Sequence, residues 1–210
     1  MGFAHWWDET VVPKIVRCGC AMEPIMALRR DVVPLAHGRV LELGCGGGIN
    51  QPLYDRARVT SFAGIDPSPR LLDHARSEAA AVGWDADICD GRGEAIPFDD
   101  AIFDSVVCTF TLCSVGDHRQ TLAELRRVLR PGGMLLYAEH GRAPDPKLAR
   151  WQERLDPLWS RVFGNCHLSR PVTSAIAAAG LEPEPLGQRY GDTGIKIASW
   201  MEWGRAVKRG

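Results

Sequence analysis

No stretch of this sequence stays apolar for long. A membrane-spanning helix needs about 20 mostly apolar residues. The most apolar early stretch, Val11 to Leu35, is interrupted by Lys14, Arg17, Glu23, Arg29, Arg30 and Asp31, so no spanning helix is expected. An excess of one charge is missing too: 25 Lys and Arg stand against 26 Asp and Glu, for a formal net charge of −1. A nucleic-acid-binding domain usually shows a basic excess, so no nucleic-acid partner is expected. Cysteine spacing of the zinc-ribbon kind is also lacking. The cysteines are odd in number and fall at 18, 20, 45, 89, 108, 113 and 166, with no secretory signal before them. Free thiols in a reducing cytoplasm are expected, with Cys18 and Cys20 structural and no metal site. Internal repeats and low-complexity tracts are absent.

What remains is an ordinary globular composition, 45% hydrophobic and 24% charged over 210 residues, long enough for one domain with decorations. Residues 1–37 read as a helical cap broken at Pro13, Pro24 and Pro34. Trp6, Trp7 and the methionines of this segment, mixed with basic residues, suit packing on a core or peripheral contact with a membrane surface. The pattern changes at about residue 38, and residues 38–210 read as one domain of alternating strands and helices. Strand-like runs are Arg39–Leu43, Thr60–Ile65, Asp87–Cys89, Phe103–Phe110 and Met134–Ala138, with two more between Leu181 and Val207 around a turn at Gly191–Gly194. Helices are expected after Ser68, a candidate N-cap with Leu71, Leu72 and Ala75 on one face, over His118–Leu129, and from Ser169 to Gly180. Pro131-Gly132-Gly133 reads as the stop of the second of these and the turn into the fifth strand. Such alternation means an α/β fold, a mostly parallel sheet with helices on both faces. Ligands bind such sheets at the carboxyl ends of the strands. Gly44–Gly48, Asp66, Asp90–Glu94 and Thr109–Cys113 all follow strands and are expected along one edge.

Glu42-Leu-Gly-Cys-Gly-Gly-Gly48 is the central motif. Its glycines let the backbone turn sharply and a ligand approach without a Cβ clash. Gly44, Gly46 and Gly48 have the spacing G-x-G-x-G, whereas a dinucleotide loop reads G-x-G-x-x-G and cradles pyrophosphate. Glu42, two positions before the first glycine, can hold a cationic amine directly or through water and is a poor neighbour for pyrophosphate. Asp66, at the end of the second strand, can accept from both hydroxyls of a ribose; an Asp before Pro67 can also cap a helix.

Val40–Gly48, Gly64-Ile-Asp-Pro-Ser68 and Leu129-Arg-Pro-Gly-Gly133, with Gly93-Glu-Ala-Ile-Pro-Phe98 before Phe103-Asp104, resemble the signature segments of class I S-adenosylmethionine-dependent methyltransferases in order and spacing. The resemblance implies a Rossmann-like seven-stranded sheet whose last strand is antiparallel, and S-adenosyl-L-methionine as cofactor. It places Glu42, Gly44, Gly46 and Gly48 around the methionine half, with Cys45 contributing only its backbone. It places Asp66 at the ribose with Pro67 and Ser68 beside it, Gly93, Glu94 and Ala95 at the adenine, and Thr109 and Phe110 along the sulfonium side. Many members have Asp-Ala where this chain has Gly93-Glu94, which favours a backbone contact to adenine there. A narrower resemblance, on Thr111–Val115, Glu139-His140, Trp151, Leu155–Trp159 and Gly164–Arg170, is to the subfamily of alkyl-thiol and bacterial phospholipid methyltransferases.

Methyl transfer from a sulfonium needs mainly an aligned acceptor in a site that excludes water. A thiol acceptor must also lose a proton, and a histidine can take it. His140, directly after the fifth strand, is the candidate base, with His167 next; either can instead be a polar residue satisfied by loop backbone. The insertion at about 144–168 carries Trp151, Leu155, Leu158, Trp159 and Val162 at helical spacing. That face is expected to be mostly core and the insertion to act as a lid, forming with Trp6 and Trp7 an apolar acceptor pocket. A small or medium apolar thiol is the first expectation for the acceptor, and a phospholipid or other lipid-like amine the second. A nicotinamide-dependent oxidoreductase and a non-catalytic cofactor-binding protein are the alternatives from other classes.

Overall fold

A computed structural model describes residues 21–192 and 194–210 of the chain. The expected roles of Trp6, Trp7, Cys18 and Cys20, and the first part of the expected cap, lie outside the described residues. Helix α1 spans Glu23–Val32, strand β1 Gly38–Leu43, β2 Val59–Asp66, helix α2 Pro69–Ala81 and β3 Ala86–Asp90. There follow β4 at Phe103–Thr109, α3 at His118–Val128, β5 at Leu129–His140, α4 at Pro146–Val162, α5 at Val172–Ala178, β6 at Glu182–Tyr190 and β7 at Trp200–Val207.

The seven strands form one sheet in the order β3-β2-β1-β4-β5-β7-β6. Strands β1 to β5 pair in parallel, and β7 runs antiparallel between β5 and β6. The chain leaves β1 toward β2 and β3 on one side and returns to β4 and β5 on the other. The switch point therefore lies between the carboxyl ends of β1 and β4, where such sheets leave a crevice. Strand β4 is buried along its whole length, as a central parallel strand covered on both faces must be.

Two apolar clusters cover the two faces. One gathers Leu41, Ile65, Val106, Leu122, Leu125, Leu135, Tyr137 and Ile176 under α3 and α5. The other gathers Leu28, Val32, Val40, Phe62, Leu72, Ala75, Val107 and Leu136 under α1 and α2. Among the described residues no helix is long and apolar enough to cross a membrane.

Three local expectations are revised. Ser68 is the residue before α2, but its hydroxyl makes no capping bond; its N–H donates to Asp66 Oδ1 at 2.9 Å instead, and the buried stripe of α2 is Leu72, Ala75 and Ala79. Helix α3 ends at Val128, three residues before Pro131, and the chain enters β5 at Leu129. Pro131-Gly-Gly thus lies inside the strand, where the β4–β5 register shifts and Gly132 takes φ +79°; proline disfavours a helical residue before it.

The largest revision concerns α4. Trp151 is 55% and Leu158 63% exposed and Leu155, Trp159 and Val162 are only half-buried, whereas Ala149, Gln152 and Asp156 are buried. The inward face is chosen by unpaired loop groups. Gln152 accepts from Ala143 N at 2.8 Å and donates to Gly141 O at 3.2 Å and Ile197 O at 2.9 Å. Asp156 accepts from Leu168 N at 2.6 Å, Ser169 N at 3.3 Å and the Ser169 hydroxyl. A buried backbone group without a partner costs about 1–3 kcal/mol, comparable to what burying a leucine returns, and Gln152 and Asp156 each satisfy several such groups at once, so the polar stripe of α4 faces in.

Candidate active site

The four stretches expected along one edge do follow β1, β2, β3 and β4, which lie side by side in parallel. The glycine loop leaves β1 and folds back on β2: Gly44 N and Cys45 N both donate to Ile65 O, at 2.9 and 3.1 Å. Gly44 takes φ +68°, and a Cβ there would stand 2.3 Å from Thr111 Oγ1, so both backbone angle and space demand glycine. Gly46 takes φ +50°, yet a Cβ on it would meet nothing within 4 Å. Open space therefore lies over the centre of the loop, which is what a cofactor approaching the backbone requires.

Asp66 binds the loop to the start of α2. Its Oδ2 accepts from Gly46 N at 3.0 Å and its Oδ1 from Ser68 N at 2.9 Å. Burial raises its carboxyl pKa against those two N–H groups. Each carboxylate oxygen has further acceptor capacity, so the bonds that hold the loop leave room for ribose hydroxyls.

Glu42 lies beneath the loop rather than at its surface. It is 1% exposed, with Oε1 accepting from Asn50 Nδ2 at 2.8 Å and Oε2 from the Tyr54 hydroxyl at 2.9 Å. Burial pushes its carboxyl up to about 7, against those two bonds and the charge of Arg29. Arg29, from α1, is itself 4% exposed. Its guanidinium donates to Asn50 Oδ1 at 2.8 Å and Thr109 Oγ1 at 2.5 Å, and lies 5.1 Å from the centre of the Phe110 ring. Asn50 Nδ2 also donates to Thr109 Oγ1 at 2.9 Å. The floor of the crevice between β1 and β4 is thus one polar network. Sequence reasoning found Glu42 and Thr109 and missed Arg29, Asn50 and Tyr54, which bear no motif.

Phe110, directly after β4, takes φ +53°, a left-handed conformation that is a clear outlier for a bulky residue. It turns the chain into the segment 111–113, which Glu139 holds. Glu139 Oε1 accepts from Thr111 N at 2.8 Å and Leu112 N at 2.9 Å, and its Oε2 from Cys113 N at 3.3 Å. Burial drives the Glu139 carboxyl well above its usual range, with the Cys113 charge adding to it, against those three N–H groups.

At the other end of the edge, Gly93 packs on α3, where a Cβ would stand 2.7 Å from Thr121 Cγ2. The Glu94 carboxylate accepts from Asp117 N at 3.0 Å, so it is turned toward the start of α3. Ala95 N donates to Arg92 O at 3.1 Å and closes that turn.

His140 ends β5, its ring 5.7 Å from that of Phe110. Cys166 Sγ lies 3.9 Å from its Nδ1 and 3.8 Å from its Nε2, and Cys113 completes a cluster with both. The Cys166 hydrogen bond holds the Cys113 thiol well below its ordinary value despite burial, with His140 assisting. His167 is not part of this group: its Nδ1 faces Asp156 Oδ2 at 3.7 Å.

A family model described as a methyltransferase domain matches residues 41–137. Thiol S-methyltransferase TMT1B of Rattus norvegicus is 36% identical over 145 residues, 67% of this chain and 58% of that protein. Thiol S-methyltransferase TMT1A of Homo sapiens is 35% identical over 174 residues, 80% of this chain and 70% of that protein. The match thus spans little more than half of the rat relative's length. In fold, a SAM-dependent methyltransferase of Thermotoga maritima superposes with a TM-score of 0.67 at 22% identity, covering 99% of this chain and 100% of that one. With the glycine loop, Asp66 and the seven-stranded sheet in place, the chain belongs to the class I S-adenosylmethionine-dependent methyltransferases.

Proposed function

We propose that this chain methylates a small or medium apolar thiol, with S-adenosyl-L-methionine bound across the carboxyl ends of β1, β2, β3 and β4. The observation that carries the reading is His140 standing beside Phe110, their rings 5.7 Å apart, at the ends of β5 and β4 on the sheet edge that carries the glycine loop. The two thiol S-methyltransferases of similar sequence favour the same acceptor.

In this reading the loop Gly44–Gly48 carries the methionine half, with Cys45 contributing backbone alone. Glu42 supplies negative charge from below without direct contact, since it is 1% exposed beneath the loop. Asp66 takes the ribose hydroxyls, with Pro67 and Ser68 lining that position, and Gly93 and Ala95 offer backbone to the adenine. The Glu94 side chain is committed to Asp117, which leaves the adenine to the backbone of the 93–95 turn. Thr109 and Phe110 border the sulfonium.

The bound cofactor supplies an activated methyl group on a good leaving group. The protein's work is alignment, which contributes roughly 7–11 kcal/mol in favourable cases, and handling of one proton. An unperturbed thiol has a pKa of about 8.5, so at neutral pH an acceptor arrives protonated, and His140 is the group placed to take the proton. The end of the 144–168 insertion, through Cys166, borders His140 and covers that side as a lid.

Incubation with radiolabelled cofactor and a panel of an alkyl thiol, an alkyl amine and phosphatidylethanolamine vesicles tests the proposal. Label is expected in the alkyl thiol. Label confined to the amine or the lipid would overturn it.

A further inference from the structure

Cys113, His140 and Cys166 come from three separate segments, the turn after β4, the end of β5 and the turn after α4, and their sulfur and ring nitrogen atoms all lie within 4.8 Å of one another. Cys113 is 1% and Cys166 7% exposed. A tetrahedral zinc ion, with bonds of about 2.3 Å to sulfur and 2.0–2.1 Å to nitrogen, sets a sulfur and a nitrogen ligand about 3.6 Å apart and two sulfurs about 3.8 Å apart. Cys166 Sγ lies 3.8 Å from His140 Nε2 and 3.9 Å from Nδ1, within a few tenths of an ångström of that spacing, and a turn of the imidazole aims one nitrogen at a shared ion.

The segments that present these ligands are braced on every side. Three backbone N–H groups of residues 111–113 donate to Glu139. On the opposite edge, His167 N donates to Cys113 O at 2.8 Å and Asn165 Nδ2 to Ser114 O at 2.8 Å. Arg170 donates to Leu112 O and to Val115 O. Asn165 takes φ +62° immediately before Cys166, a conformation asparagine tolerates better than most residues. Such bracing of ligand-bearing backbone is what holds a metal site in shape.

From this geometry we infer that Cys113, His140 and Cys166 bind a zinc-class divalent metal ion, with a fourth position open to an acceptor thiol. Two thiolates and one imidazole with an open fourth position form a ligand set that zinc uses in catalytic sites. When a thiol R–SH enters the open position, a metal–sulfur bond forms, the S–H bond breaks and the proton leaves to solvent. Neither metal nor sulfur changes oxidation state. His140 would then act by holding the metal, and the acidity of the acceptor would come from the ion. The metal triad stands on geometry alone; the occupant of its fourth position rests on the thiol reading above.

The test uses the full chain, kept reduced with a phosphine and titrated with Co²⁺ as a spectroscopic substitute. One Co²⁺ per chain should bind with sulfur-to-cobalt charge-transfer bands and tetrahedral visible bands. Cys166→Ser and His140→Ala should each weaken binding by about a hundredfold or more, beyond the loss from disturbing an outer partner, and Cys89→Ser should leave it unchanged. An added alkyl thiol should shift the visible bands. The inference is overturned if the reduced protein takes up no cobalt, if the bands survive both Cys166→Ser and His140→Ala, or if they vanish in a Cys18→Ser/Cys20→Ser variant instead. A Cys113–Cys166 disulfide that re-forms on removing the phosphine, with no cobalt uptake before it forms, would overturn it in favour of a redox pair. Thiol methylation by metal-free protein overturns the metal and leaves the thiol reading intact. Cobalt bound by the triad with no thiol methylated sustains the triad and defeats the thiol reading.

Discussion

Asp66 Oδ2 accepts the Gly46 N–H at 3.0 Å, and through that bond the carboxylate at the end of β2 fixes the curvature of the glycine loop that leaves β1. The same carboxylate is the one assigned to the ribose, so loop shape and cofactor affinity are coupled in one residue. Asp66→Ala is expected to weaken S-adenosylmethionine binding at least about tenfold, since hydrogen bonds to a charged group contribute about 1.5–3 kcal/mol. Asp66→Asn, which can keep one of the two backbone bonds, should fall between wild type and Ala. Calorimetric titration measures both; unchanged affinity in Asp66→Ala would remove Asp66 from the site.

Gly46 separates folding from binding. Its Cβ direction is empty of protein atoms, so Gly46→Ala should fold at a cost of about 1–2 kcal/mol for its left-handed backbone. The added methyl would enter the space assigned to the cofactor, and binding should fall by an order of magnitude or more. Gly44→Ala, whose Cβ would run into Thr111, should fail in folding as well. Thermal denaturation with and without cofactor distinguishes the two variants. Equal cofactor protection in Gly46→Ala and wild type would place the ligand elsewhere.

Glu42 gives a pH dependence of defined sign. Its carboxyl is raised from 4.5 to about 7 in the folded chain, chiefly by burial. Between those values the native state holds the proton more tightly than the unfolded chain does. Stability therefore falls as pH rises through that window, by about 3 kcal/mol from this group, and levels off above it. Glu42→Gln lacks the titrating group. The stability difference between wild type and Glu42→Gln, from urea unfolding at pH 5 and pH 8 without cofactor, should shift in favour of the variant at the higher pH. Parallel curves would mean that Glu42 ionises at its ordinary pKa.

The polar inner face of α4 predicts an inverted mutational pattern. Asp156→Ala strands two backbone N–H groups and the Ser169 hydroxyl, for a loss of about 1–3 kcal/mol or more. Trp151→Lys, on the exposed face, should change stability by less than about 0.5 kcal/mol. Urea midpoints decide this, and a larger loss at Trp151 than at Asp156 would reverse the assignment of faces.

The sequence made some of this legible and hid the rest for physical reasons. The loop, Asp66 and the strand ends were readable because each is a local solution: glycines where φ is positive, a carboxylate where a strand stops, turns where helices begin. Arg29, Asn50 and Tyr54 were not, because their partners lie 80, 8 and 12 residues away and only the folded sheet brings them together. The apolar spacing of α4 misled because hydrophobic periodicity ignores the loop backbone groups that Gln152 and Asp156 must satisfy. Cys113, His140 and Cys166 have separations of 27 and 26 residues that match no metal motif; the close approach of three loops reveals them.

The most direct test of the account is a crystal structure with S-adenosylhomocysteine bound. The ribose hydroxyls are expected at Asp66, the homocysteine chain over Gly44–Gly48, and the sulfur facing Phe110 with His140 beyond it. A ligand seated away from Asp66, or one whose sulfur points away from the Phe110–His140 pair, would contradict it.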